Sequence, residues 1–151
     1  MSHRYQWLRD GAAVQGATSS TYRLAPSDQG RRMSVRVTAE KSGHQPGTAT
    51  STTTARVASA TSRVSIRPSR TSVKARQKLK VGVTVTAPSL KPPGKVDVYY
   101  RGKKVRSLRL KNGKVSATFR PSVKGRFTLK VVYRGAKGVK SSTSSVKIRV
   151  R

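Results

Sequence analysis

The sequence predicts an all-β protein of stacked sheets, a sandwich or small barrel. Three observations carry this. Apolar residues recur at every second position in short runs. Those runs are bounded by Gly, Pro and Asn and follow one another at intervals of roughly 8–12 residues. No stretch carries the apolar stripe of an amphipathic helix.

Taken from the N-terminus, the first strand is Tyr5-Gln6-Trp7-Leu8-Arg9, closed by a turn at Asp10-Gly11. Thr21-Tyr22-Arg23-Leu24 and Met33-Ser34-Val35-Arg36-Val37-Thr38 read as further strands, and a Thr-rich strand falls within residues 48–57. These make half to two-thirds of a sandwich, so residues 1–57 are expected to be a partial module. Ala58-Ser59-Ala60-Thr61-Ser62 reads as a linker, and residues 63–151 as a complete module.

In the second module Val64 and Ile66 mark a first strand, and Leu79, Val81, Val83, Val85 and Ala87 form the clearest inward row. Ser89-Leu90-Lys91-Pro92-Pro93-Gly94 is a turn, because two prolines cannot donate ladder hydrogen bonds. Val96, Val98 and Tyr100 then point inward, Arg101-Gly102-Lys103-Lys104 turns the chain, and Val105, Leu108 and Leu110 lead to Asn112-Gly113. That dipeptide readily takes the positive φ of a two-residue hairpin, from which Val115, Ala117 and Phe119 return. Phe127, Leu129, Val131 and Tyr133 form the next inward row, and Val146, Ile148 and Val150 the last.

Charge is the feature out of proportion. The chain holds 34 Lys and Arg against 4 Asp and Glu, a formal +30. Residues 1–62 carry eight cations and three acids, whereas residues 63–151 carry 26 and one. Outward lysines block edge pairing and aid solubility, but that role does not require such an excess. A field of this size attracts polyanions of every kind, among them nucleic acid, anionic lipid headgroups and acidic wall polymers. Cysteine is absent, which excludes disulfides and thiolate metal sites. No run approaches the ~20 apolar residues of a membrane-spanning helix, and the N-terminus has no apolar stretch fit for a signal peptide.

Two resemblances follow from ordered strings. Tyr5-Gln6-Trp7-Leu8-Arg9-Asp10-Gly11, Gly16-Ala17-Thr18, Thr21-Tyr22, Asp28 and Ser34-Val35-Arg36-Val37-Thr38 resemble a tandem immunoglobulin-like repeat of secreted and surface proteins of high-GC Gram-positive bacteria. In that family the repeat begins about two strands earlier, so the resemblance implies a chain that starts inside a domain. Lys95-Val96-Asp97-Val98-Tyr99, Gly102-Lys103-Lys104-Val105, Leu110-Lys111-Asn112-Gly113-Lys114-Val115, Gly125-Arg126-Phe127-Thr128-Leu129, Val132-Tyr133 and Ser142-Thr143-Ser144-Ser145-Val146 resemble a bacterial Ig-like domain of adhesins and wall-associated enzymes. Such domains often carry an acidic loop after the penultimate strand. Here Gly135-Ala136-Lys137-Gly138-Val139-Lys140 stands in that place, so no calcium site is expected. The fold class is therefore an all-β, immunoglobulin-like β-sandwich with one partial module followed by one complete module. The resemblance implies an exported spacer or display module, located outside the cell or in the wall.

Catalytic chemistry has few candidates. His3, His44, Asp10, Asp28, Glu40 and Asp97 are all the usual acid–base or metal-binding side chains, and no triad or metal spacing links them. The histidines read as solvated surface groups. Asp10 and Asp28 belong to turns, and Asp97 is placed facing outward beside basic strands. Trp7 is assigned to the core, with Tyr5 on its face. No enzyme, cofactor or metal site is expected.

The binding site is placed on the outer face of the last strands, at Lys130, Arg134, Lys147, Arg149 and Arg151, with Tyr99 beside them. The expected partners are anionic wall polymers such as teichoic acids, or acidic polysaccharides. Sequence-nonspecific nucleic-acid binding and an inert spacer beside a larger secreted enzyme are the rival readings. No recognition helix, zinc-finger spacing or paired RNA-stacking aromatics appear, so base readout is not expected. The missing first strands of residues 1–57 would leave a sheet edge open to self-association.

Overall fold

The computed structural model describes residues 1–88 and 90–151. Ser89, the first residue of the turn expected over residues 89–94, lies outside them. The chain divides into two compact units, Met1–Ser59 and Ala60–Arg151.

The first unit is one antiparallel sheet of β1 (Ser2–Arg9), β2 (Ala12–Ala13), β3 (Met33–Glu40) and β4 (Gly47–Thr50), in the order β2-β1-β3-β4. Asp10 and Gly11 both take positive φ, 47° and 85°, which matches the twist of a tight hairpin from β1 into β2. Register places Tyr5 opposite Val37, Trp7 opposite Val35 and Arg9 opposite Met33, so these six share a face.

Residues 21–24, expected as a strand, form none. Their segment is held to that face by side chains instead. Tyr22 stacks on Trp7 with ring centroids 5.7 Å apart, and Pro26, which has no N–H to donate, opens a 3-10 turn at Pro26–Asp28. Met33 beneath it is buried, while Trp7 and Tyr5 are only half-buried. A single irregular segment covers less of a large ring than a second sheet would. After β4 the chain keeps alongside β3, with Ser51 N–H donating to Val35 O and Thr54 N–H to Met33 O.

The second unit is a two-layer sandwich. One layer has β5 (Arg63–Pro68), β7 (Leu79–Thr86) and β10 (Lys114–Phe119), ordered β10-β7-β5. The other has β6 (Ser72–Val73), β8 (Lys95–Tyr100), β9 (Lys103–Arg109), β11 (Gly125–Tyr133) and β12 (Ser142–Val150), ordered β6-β12-β11-β8-β9. Between the layers lie Val64, Leu79, Val81, Val83, Val85, Val96, Val98, Leu110, Leu129, Val131, Tyr133, Val139 and Ile148. Most come from the period-2 rows of the sequence, and each fully buried aliphatic contributes about 1.5–3 kcal/mol.

The Asn112-Gly113 hairpin forms as expected, with φ of 51° and 74°, and a Cβ on Gly113 would stand 2.7 Å from the Val85 carbonyl oxygen. Three details differ from the sequence reading. The turn after β8 is Arg101-Gly102 alone, with φ of 52° and 76°, and Lys103 and Lys104 already belong to β9. Val105, expected inward, is exposed, because the register slips opposite Val98 and Tyr99 and leaves it as the extra residue of a bulge. Val73 is buried in β6, a two-residue strand parallel to β12 that alternation over so short a stretch does not reveal.

Within the stretch read as a linker, Ala60 N–H donates to Gly138 O and Lys140 N–H donates to Ala60 O, at 2.8 and 2.9 Å. The Ser62 hydroxyl donates to Lys140 O at 2.7 Å.

Candidate polyanion-binding face

The outer face of the five-stranded sheet follows from its register. Lys130 on β11 stands opposite Tyr99 on β8 and Ser145 on β12, and Tyr99 in turn stands opposite Lys104 on β9. Lys147 faces Thr128, and Arg149 faces Arg126. Lys95 faces Arg109 on the same side as Tyr99. Arg134 follows the end of β11, its N–H donating to Lys95 O at 3.2 Å. Neighbouring strands are ~4.8 Å apart and alternate residues ~6.7 Å apart along a strand, so the cations form a two-dimensional grid.

The register therefore brings Lys130, Arg134, Lys147, Arg149 and Tyr99 onto one face. Arg151 continues the alternation of β12, with its N–H bound to Val73 O at 2.9 Å. Sequence reasoning missed Lys95, Lys104, Arg109 and Arg126, which share that face. The signal was present for Arg126, which alternates with Lys130. For Lys104 it was not, because the bulge at Val105 decides its side.

Asp97 corrects the expectation of an outward, solvated carboxylate. It lies on this face but is only 3% exposed, roofed by Arg134. Arg134 Nε and Nη2 both donate to Asp97 Oδ2, at 2.7 and 2.6 Å. Burial by itself would raise the Asp97 carboxyl, but the Arg134 hydrogen bond, the neighbouring Ser107 hydroxyl and the charges of Arg134 and Lys104 outweigh it and hold the group below the usual carboxylate range. Asp97 Oδ1 is enclosed with no hydrogen-bond partner among the described residues. The single acid of the second unit is thus hidden, and the grid presents positive charge to solvent.

The other carboxylates are taken up in the same way. Asp28, fully buried, accepts from Arg9 Nε at 2.7 Å, the Tyr22 hydroxyl at 3.0 Å and Ala25 N–H at 2.7 Å. Burial works to raise it, and these bonds together bring it below the ordinary range. Asp10 accepts from Arg32 N–H at 2.8 Å and Arg31 Nη1 at 3.0 Å, which lower it. Glu40 pairs with Arg4. His3 and His44 are exposed on β1 and in the loop after β3. Among the described residues no three His, Cys, Asp or Glu side chains gather as a metal site, and no helix is long and apolar enough to cross a membrane. The 135–140 loop is a tight turn in which Ala136 and Val139 exchange both backbone hydrogen bonds, at 3.1 and 2.9 Å.

No family model matches the sequence, and no curated protein does. Solved structures do match. Fibronectin(III)-like modules of Clostridium thermocellum CbhA align over 98% of this chain and 77% of theirs, at 15% identity and a TM-score of 0.51. An amphioxus IgVJ-C2 molecule aligns over 97% and 88%, at 13% identity and a TM-score of 0.46. With the two stacked sheets of its second unit, the chain has the all-β fold of immunoglobulin-like and fibronectin III-like sandwich domains.

Proposed function

We propose that the chain is a non-catalytic module of an exported bacterial protein and that it binds anionic envelope polymers through the outer face of its five-stranded sheet. The observation that carries this reading is the grid just described. Lys95, Lys104, Arg109, Arg126, Lys130, Lys147 and Arg149 share one face with Arg134, whose partner Asp97 is the only carboxylate there among the described residues. A linear polyanion such as a teichoic acid or an acidic polysaccharide meets several of these cations at once, and each contact releases counterions. Tyr99 lies between Lys104 and Lys130 and offers a half-buried ring to an apolar or planar part of the chain.

Retention on purified wall material tests the reading. The protein should bind at low salt and elute well before ~1 M, where exposed charges are screened within ~3 Å. Retention unchanged at that salt would refute an electrostatic mechanism. Competition by a short duplex separates the nucleic-acid alternative: displacement at equal charge concentration together with preference for one base sequence would favour it over wall polymers.

A further inference from the structure

At the side of the second unit where β9 and β10 are the edge strands, a cleft of about 240 Å3 opens between the two sheets. Leu79, Phe119, Leu129, Ile148 and the Tyr100 ring wall it. Val105 stands at the mouth because the bulge takes it out of the ladder, and it is 42% exposed. Val123, nearby in the chain segment after β10, is 41% exposed. Both border an adjoining hollow, so the apolar surface continues from the cleft to solvent.

The rim has one sign of charge. Arg120 lines the cleft, Arg101 and Lys103 line the adjoining hollow, and Arg106 lines a third next to Val105. Among the described residues no carboxylate lines any of the three. Beside the cleft, the Tyr100 hydroxyl is enclosed without a hydrogen-bond partner among the described residues. Folded proteins rarely leave such a group unsatisfied without a reason.

We propose that this cleft binds a small amphiphile: an alkyl chain or aromatic ring carrying one anionic head group. An apolar cavity of ~150 Å3 lined by Leu, Ile and Phe stays dry and takes up benzene, so the larger volume here admits a substituted ring or a medium alkyl chain. The head group then rests at the mouth against Arg120. This site is separate from the polyanion-binding face. It lies between the layers rather than on the outer sheet surface, and none of its rim cations belongs to the grid.

The test uses the full chain with methyl-resolved NMR and three probes of equal chain length: octanoate, octanol and octyltrimethylammonium. Octanoate should shift the methyl signals of Val105, Leu129 and Ile148, bind roughly tenfold more tightly than octanol and far more tightly than the ammonium probe. Inorganic polyphosphate in excess should leave the octanoate methyl shifts in place while it perturbs the backbone amide signals of Lys130 and Lys147 in a parallel amide spectrum. Ser122→Trp, at an exposed position on the mouth, should abolish the octanoate response, and Arg120→Gln should reduce octanoate to the affinity of octanol. The proposal is overturned if these methyls do not move at millimolar octanoate, if octanol binds as well as octanoate to the unmodified chain, or if polyphosphate displaces octanoate. Wall-polymer retention that persists when octanoate fails, or fails when octanoate binds, tells the two sites apart.

Discussion

Removing three cations from the grid at once gives the sharpest measure of whether the sheet face, rather than net charge, holds polyanions. Lys130→Gln, Lys147→Gln and Arg149→Gln all lie on the outer side of β11 and β12, where their side chains stand opposite Tyr99, Thr128 and Arg126. A mixed-sequence DNA duplex is a convenient ruler, since each neutralised phosphate adds ~0.9 to the slope of log K against log salt. Seven grid cations outside the Arg134–Asp97 pair set a ceiling on that slope of about 6. The triple variant should lower it by about 2.7, so that its affinity falls about 1.6 decades less than the parent's between 0.05 and 0.2 M salt. Fluorescence anisotropy of a labelled duplex across a salt series reads both numbers. The matched control is Arg67→Gln, Lys80→Gln and Lys114→Gln, three cations on the outer side of the three-stranded sheet. If the control lowers the slope as much as the grid variant, binding follows the diffuse field and the face has no special role.

Acid should weaken the fold in a defined window. Asp28 and Asp97 have folded pKa values below those of the unfolded chain, so their contribution is complete above the unfolded value of ~3.9 and is lost as pH falls toward the folded values. Thermal melts from pH 6 to pH 2 should therefore fall mainly below pH ~4, with Asp97→Asn flattening part of the drop; an unchanged melting temperature at pH 2 would contradict the assignment. Gly113→Ala should cost more than the ~1–3 kcal/mol expected of left-handed backbone alone, because its Cβ meets the Val85 carbonyl oxygen. Gly102→Ala, at φ 76° with open space around it, should cost only that backbone penalty, and equal urea midpoints for the two would remove the steric argument. Hydrogen exchange should show Met1–Ser59, built on one sheet, opening far more readily than Ala60–Arg151, and equal protection in a monomer would count against the first unit being a partial module.

What the sequence determined by itself is the class of structure and the inward rows. Side chains alternate across a strand with period 2, so Leu79 to Val85 and Phe127 to Tyr133 announce their faces without any partner. Asn112-Gly113 likewise specifies its hairpin through local backbone preference. The excess of cations, and the scarcity of groups for acid–base chemistry, are also matters of composition.

Tertiary structure decided what depends on how strands pair and which neighbours they bring together. Whether Lys104 joins Lys130 is set by a bulge in the pairing of β8 with β9, and that same bulge turns Val105 out of the core to the mouth of the cleft. Asp97 lies beneath Arg134, 37 positions away, because β8 and β11 pair side by side. Residues 21–24 have strand-like composition, yet they form no strand, and Tyr22 instead stacks on Trp7 and donates to Asp28. Register, bulges and buried ion pairs are settled by strand pairing, not by the alternation of one strand alone. A period-2 pattern constrains which side a residue faces, but not which neighbour it meets there.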